Sequence, residues 1–351
     1  MATTNSTQNS GRTAVSSLGL RAPRSLLLAL TALLLTFSFP AQAQKPAKLY
    51  RVGRLTGGSP ADPLSKENYA AFRQGLRDLG WIEGKNVIHE PRWSENKPEM
   101  LRDFAAELVR LPVDVIVANG SPMVRAAKQA TSTIPIVMAA SGADPVAAGF
   151  IASLARPGGN ITGMSLLSAE LDGKRMEFLK DAVPKLRRVA VLQNPDFPEA
   201  ANRWKDAVTA GRSLGVQLDS WTVRSPDEIE QTFLEKSKPR PDALLVFSDP
   251  VLLERYRERI IALAVKLRLP AIYPWRTYVE EGGLMSYSPD LLGMHRQSAY
   301  YVDKILKGAN PADLPVEQPT RFELVINLKA GKQIGLTIPP NVLARADKVI
   351  K

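Results

Sequence analysis

Three turns in the first half of the sequence carry small hydroxyl and amide residues where apolar runs break off. "YRVGRL" leads into "TGGSPADP", "VDVIVA" into "NGSP" and "IPIVMA" into "ASGADP". Thr56, Ser59, Asn119, Gly120, Ser121, Ala140 and Ser141 therefore stand just ahead of segments with helical spacing. The chemistry they suit is recognition rather than bond making. Free N–H groups and the positive dipole end of a helix attract an anion such as a carboxylate, and the hydroxyls add donors. Any one of these residues reads first as an ordinary helix cap; three such turns along one edge shift the reading toward a site.

The second half offers a different set. Its apolar runs end in "QNPDFP", "FSDP" and "YPWRTYVEEGG", which supply Asn194, Phe197, Ser248, Asp249, Tyr273 and Trp275. Aromatic rings beside a carboxylate hold a cationic or apolar group. Asp249 also reads as a helix cap and Trp275 as a packing residue. One wall for an anion and one for an amine and a ring together describe a free amino acid.

The elements that must position these turns form a repeat of architecture. Apolar strands starting at Tyr50, Asn86, Val113 and Ile134 are followed by strands starting at Arg187, Val216, Pro241 and Leu269 at nearly constant spacing, with helical stripes between them. In "ENYAAFRQGLRDLG", Tyr69, Phe72, Leu76 and Leu79 recur at helical spacing, and Gly80 ends the helix. Alternating strand and helix predicts an α/β fold with a parallel sheet covered on both faces. The expectation is two Rossmann-like lobes, each a parallel sheet flanked by helices, joined by a three-strand hinge. Crossings are placed near Met164, Tyr287 and Val325. They give a first lobe of residues 44–163 plus 287–324 and a second of 164–286 plus 325–351.

Several chemistries find no support. The chain has no cysteine, which removes thiolate catalysis, disulfides and cysteine metal sites. His89 falls in a predicted strand and His295 on a predicted helix, too separated to read as a metal pair. No G-x-S-x-G elbow, Walker P-loop or G-x-G-x-x-G turn occurs. No cofactor is expected, no metal and no catalytic residue.

The N-terminus reads as an export signal. Arg12, Arg21 and Arg24 precede "LLLALTALLLTF", and small residues follow at "AQA". The apolar run is shorter than the ~20 residues of a spanning helix, so cleavage near Ala43 and a free periplasmic product are expected. The net charge of +11 is scattered singly among acids, as in "RYRERIIALAVKLR", which suits a solvated surface better than nucleic acid.

Two longer stretches carry a family likeness. "IPIVMAASGADPVAAGFIASLARPGGNITG" and the C-terminal "YYVDKILKGANPADLPVEQPTRFELVINLKAGKQIGLTIPPNVLARADKVI" resemble the ABC-transporter substrate-binding family typified by tryptophan and tyrosine uptake proteins. The resemblance covers the chain from about Leu49 onward. It implies a periplasmic binding protein of type I-like fold, with a solute in the interlobe cleft and a permease and an ATPase on other chains as partners. It also implies that Gly120, Ser121, Ala140 and Ser141 grip a ligand carboxylate. One departure is Ser288 in "SYSPD", where similar sequences often carry glycine.

The reading is thus a monomeric periplasmic receptor of an ABC importer, closing by hinge motion on a small amino-acid-like or carboxylate solute. A sensory receptor feeding a chemoreceptor or kinase is the alternative. An exported α/β enzyme ranks third.

Overall fold

A computed structural model describes residues 48–95, 97–166, 168–249 and 252–351. The expected signal segment, residues 1–43, lies outside them. Among the described residues, no helix is long and apolar enough to cross a membrane.

The first sheet has strand order β2-β1-β3-β4-β5 and is wholly parallel. Its strands are β1 (Tyr50–Thr56), β2 (Val87–Trp93), β3 (Val115–Asn119), β4 (Ile136–Ser141) and β5 (Ile161–Ser165). Between them run α1 (Pro63–Asp78), α2 (Leu101–Arg110) and α3 (Ser121–Ala130). β3 and β4 are almost completely buried because helices cover both faces of the sheet. Gly163 lets β4 and β5 close up: it sits at φ +121°, and a Cβ there would lie 2.3 Å from the Met138 carbonyl oxygen.

The second sheet runs β12-β11-β10-β9-β8-β6-β7. It contains β6 (Arg188–Gln193), β7 (Gln217–Thr222), β8 (Ala243–Val246), β9 (Ala271–Tyr273), β10 (Met285–Pro289), β11 (Phe322–Asn327) and β12 (Lys348–Ile350). The helices among them are α4 (Ser168–Ala182), α5 (Ala200–Ser213), α6 (Pro226–Glu235), α7 (Arg257–Lys266) and α8 (Arg276–Glu280). After β11 come the short α10 (Leu328–Ile334) and α11 (Pro340–Leu343).

The late helix α9 (Leu291–Leu306) leaves the second sheet and packs along α1 and β4 of the first lobe. The buried indole N–H of Trp81 donates to Asp303 on α9 at 2.9 Å. The sequence places chain crossings near Tyr287 and Val325. In the structure an antiparallel ladder from Met285↔Ile326 to Pro289↔Phe322 keeps both strands whole within the second sheet. The connections between lobes therefore lie at the ends of these strands, and this pair makes the second sheet mixed rather than purely parallel.

In both sheets the strand order reverses next to the first strand of the lobe: between β1 and β3, and between β6 and β8. Ligands of open α/β sheets collect outside the carboxyl ends at such switch points. The two switch points here face one cleft.

Candidate functional site

A cavity of about 100 Å³ lies in that cleft, lined from both lobes. The first lobe contributes the ends of β3 and β4 (Asn119, Gly120, Ser121, Ala140), plus Asn68 on α1 and His295 on α9. The second contributes Phe197, Glu199, Arg203, Ser248, Glu254 and Trp275. A recess of about 270 Å³ shares Asn68, Asn119, Glu254 and Trp275 with it. A wider one of about 520 Å³ shares Gly142, Leu166, Glu199 and Arg203.

Of the residues picked from the sequence, Asn119, Gly120, Ser121, Ala140, Phe197, Ser248 and Trp275 line the central cavity. Gly120 caps α3 at φ +99°, a conformation glycine adopts at no steric cost. The other six do not line it, and their hydrogen bonds and packing give the reasons. The Ser141 hydroxyl is buried and meets Ser121 Oγ at 3.2 Å, while Ser121 Oγ accepts from the Ala143 N–H at 2.8 Å. Thr56 Oγ1 accepts from Asn119 Nδ2 at 3.5 Å. Ser59 Oγ accepts from the Ala61 N–H. Asn194 Oδ1 accepts from the Asp196 N–H at 3.0 Å, shaping the turn that presents Phe197. Asp249 Oδ1 accepts from the Leu252 N–H at 3.1 Å. Tyr273 is buried with its ring stacked on Tyr278 at 4.9 Å.

The residues that sequence reading missed carry most of the charge. Glu254 Oε1 accepts from Trp275 Nε1 at 2.5 Å and from Ser248 Oγ at 3.0 Å. Loss of water around its carboxylate pushes the pKa from 4.5 up to about 7, against the pull of those two donors. Glu199 keeps 11% of its side chain exposed, with the Arg125 guanidinium of the opposite lobe 3.7 Å away. Desolvation raises its pKa too. A cation entering the cleft would find two carboxylates short of water.

Arg203 is held from behind. Asp172 Oδ2 accepts from its Nε at 2.9 Å and its Nη2 at 2.6 Å, and the Ser248 carbonyl accepts from its Nη1 at 2.7 Å. The other oxygen of Asp172 accepts from Arg175 at 2.7 Å, and Arg175 in turn donates to the carbonyls of Tyr287 and Pro274. This buried triad joins α4 and α5 to the Ser248 loop and to β10, the strand from which the chain departs for the first lobe. Across the cleft mouth, Arg257 meets Asp62 at 3.4 Å and Arg276 meets Glu67 at 2.9 Å.

The arrangement suits holding a small solute with both charges. Among the described residues, no group of three or more His, Cys, Asp and Glu could hold a metal ion.

Known proteins share this chain's sequence pattern and fold. A tyrosine-binding protein of Clostridioides difficile is 25% identical over 257 residues, 73% of each chain. A Vibrio cholerae structure described as a conserved domain protein superposes with a TM-score of 0.80 at 28% identity, covering 86% of this chain and all of that one. An ABC domain from Streptococcus pneumoniae in complex with L-Trp gives a TM-score of 0.80 at 25% identity and the same coverage. The family profile described as ABC transporter substrate binding protein matches residues 62–350. With that profile spanning most of the sequence and both lobes lining one charged cleft, the chain belongs to the ABC transporter substrate-binding protein family.

Proposed function

We propose that this receptor is exported, is cleaved near Ala43 and captures a small amino-acid-like solute, with its ammonium toward Glu199 and Glu254. The aromatic or apolar body of the solute lies among Phe197, Trp275, Leu64 and Leu291, and its carboxylate faces the first lobe. Closure of the lobes dries the site and presents a joined surface to a permease, with an ATPase on a further chain supplying the work. The solute leaves unaltered, so the chain is a receptor and not an enzyme.

The observation that carries this reading is the pair of desolvated carboxylates, Glu199 and Glu254, facing first-lobe donors across an apolar-flanked cavity. The relatives named for tyrosine and bound to L-Trp support an aromatic amino acid.

A thermal-shift panel of the twenty amino acids tests it. A solute at a hundredfold excess over its Kd stabilises the folded chain by about 2.7 kcal/mol, a rise on the order of 5 °C for a chain of this size. Aromatic amino acids are expected to give the largest shifts. A flat response across the panel would remove the amino-acid assignment.

A further inference from the structure

At and behind its first-lobe wall the cleft has polar groups that the fold itself leaves unanswered. Arg54 on β1 is 1% exposed, yet its Nε, Nη1 and Nη2 have no hydrogen-bond partner among the described residues. The same holds for Asn68 Oδ1 on α1, at 5% exposure, and for both ring nitrogens of His295 on α9, at 1%. Buried polar groups left unpaired are rare in folded proteins, and each asks for an explanation. The Tyr69 and Trp93 rings, 4.8 and 5.5 Å from the Arg54 guanidinium carbon, compensate the cation partly and leave its N–H groups unpaired.

Position connects these groups to the cleft. Asn68 and His295 line the cavity. Arg54 shares a sheet face with Val52 and Thr56, and Val52 belongs to the same buried core cluster as Phe72 of α1 and Met294 of α9. Burial, helped by the Arg54 charge within Coulomb range, keeps the His295 imidazole neutral. Burial lowers the Arg54 pKa only to about 10, so the guanidinium stays charged at neutral pH. The strand-end hydroxyls of Thr56, Ser121 and Ser141 are by contrast already engaged within the protein.

We infer that Arg54, acting with His295, is the positive partner of the solute's carboxylate, and that this pair makes the cleft selective for acids over their neutral amides. The inference rests on the receptor reading above and names the positioning charge of that same site. The carboxylate accepts from the ring N–H of His295 at the cavity wall, with the Arg54 charge behind it, and Asn68 Oδ1, an acceptor, is left to take a donor of the solute.

The test is calorimetric titration of the full chain with L-tryptophan, L-tyrosine, L-phenylalanine and L-leucine, each against its carboxamide. The wild type is expected to bind at least one acid on the order of 100-fold more tightly than its amide. Arg54→Met is expected to lose that preference, with the two affinities falling within a few-fold of each other, while Arg54→Lys keeps part of it. The melting temperature of ligand-free Arg54→Met is expected to equal or exceed that of the wild type, because an unpaired buried charge gives way to an apolar chain of similar volume. Loss of folding in Arg54→Met would overturn the inference, since it would make Arg54 a structural residue. So would an acid preference unchanged by Arg54→Met, or equal binding of acid and amide by the wild type; both leave the receptor reading standing. Failure of all four acids to bind the wild type would overturn both.

Discussion

Replacing Asp172 by alanine is expected to cost the folded chain about 3–5 kcal/mol, because two buried guanidinium groups lose their only carboxylate in the triad. Asp172 is 1% exposed, and the Arg175 and Arg203 side chains are 2% and 7% exposed. Neither arginine can turn to water without breaking its bonds to the carbonyls of Tyr287, Pro274 or Ser248. Urea unfolding measures the loss as a lowered midpoint at similar slope. Adding Arg175→Met and Arg203→Met to the alanine variant is expected to restore part of the stability, since no bare charge then remains buried. A loss below about 1 kcal/mol for Asp172→Ala, the range of exposed ion pairs, would show that the triad is solvated and does not brace the second lobe.

The second large effect is on binding. Glu254→Gln keeps an oxygen for the Trp275 and Ser248 donors but removes the charge that meets an ammonium group. Affinity for an amine-bearing solute is expected to fall by about 2–5 kcal/mol. The pH dependence adds a signature that shape alone would not produce. The folded-state pKa of Glu254 is raised from 4.5 to about 7, so between those values the folded chain holds a proton that the unfolded chain has released. Its contribution to stability is therefore greatest at low pH and is lost as pH rises from about 4.5 to 7. Binding runs the other way: an ammonium favours ionised Glu254, so wild-type affinity is expected to weaken toward tenfold per pH unit below about 7. Glu254→Gln is expected to lose that slope. Calorimetry across pH 5–8 measures both effects, and a variant that keeps wild-type affinity and slope would place the ammonium elsewhere.

The strands and their alternation with helices were legible because their signal is local. Runs such as "VDVIVA" and "ALLVF" fit strands buried on both faces, and the structure places β3 and β8 there. The family likeness carried the two-lobe plan further. The antiparallel pairing of β10 and β11 was not legible, because strand direction is set by where α9 leads the chain and not by strand composition. The site divided along the same line. Turn residues with a backbone role, such as Gly120 and Ser121, stood out by position. Glu254 did not: "LLERYRER" reads as a solvated helical face, and only the folded cleft, with Trp275 bonded to it, takes its carboxylate out of water. Arg54 was hidden in the same way, since a lone arginine in a strand reads as an edge residue until both covering helices are placed.

The most direct test of the central claim is mass spectrometry of whatever small molecule is released from natively purified chain. The account predicts one amine-bearing carboxylic acid at about one per chain, recovered with unchanged mass after rebinding. A chain that carries no such molecule and takes up none when it is supplied, or one that returns the molecule chemically altered, would contradict it.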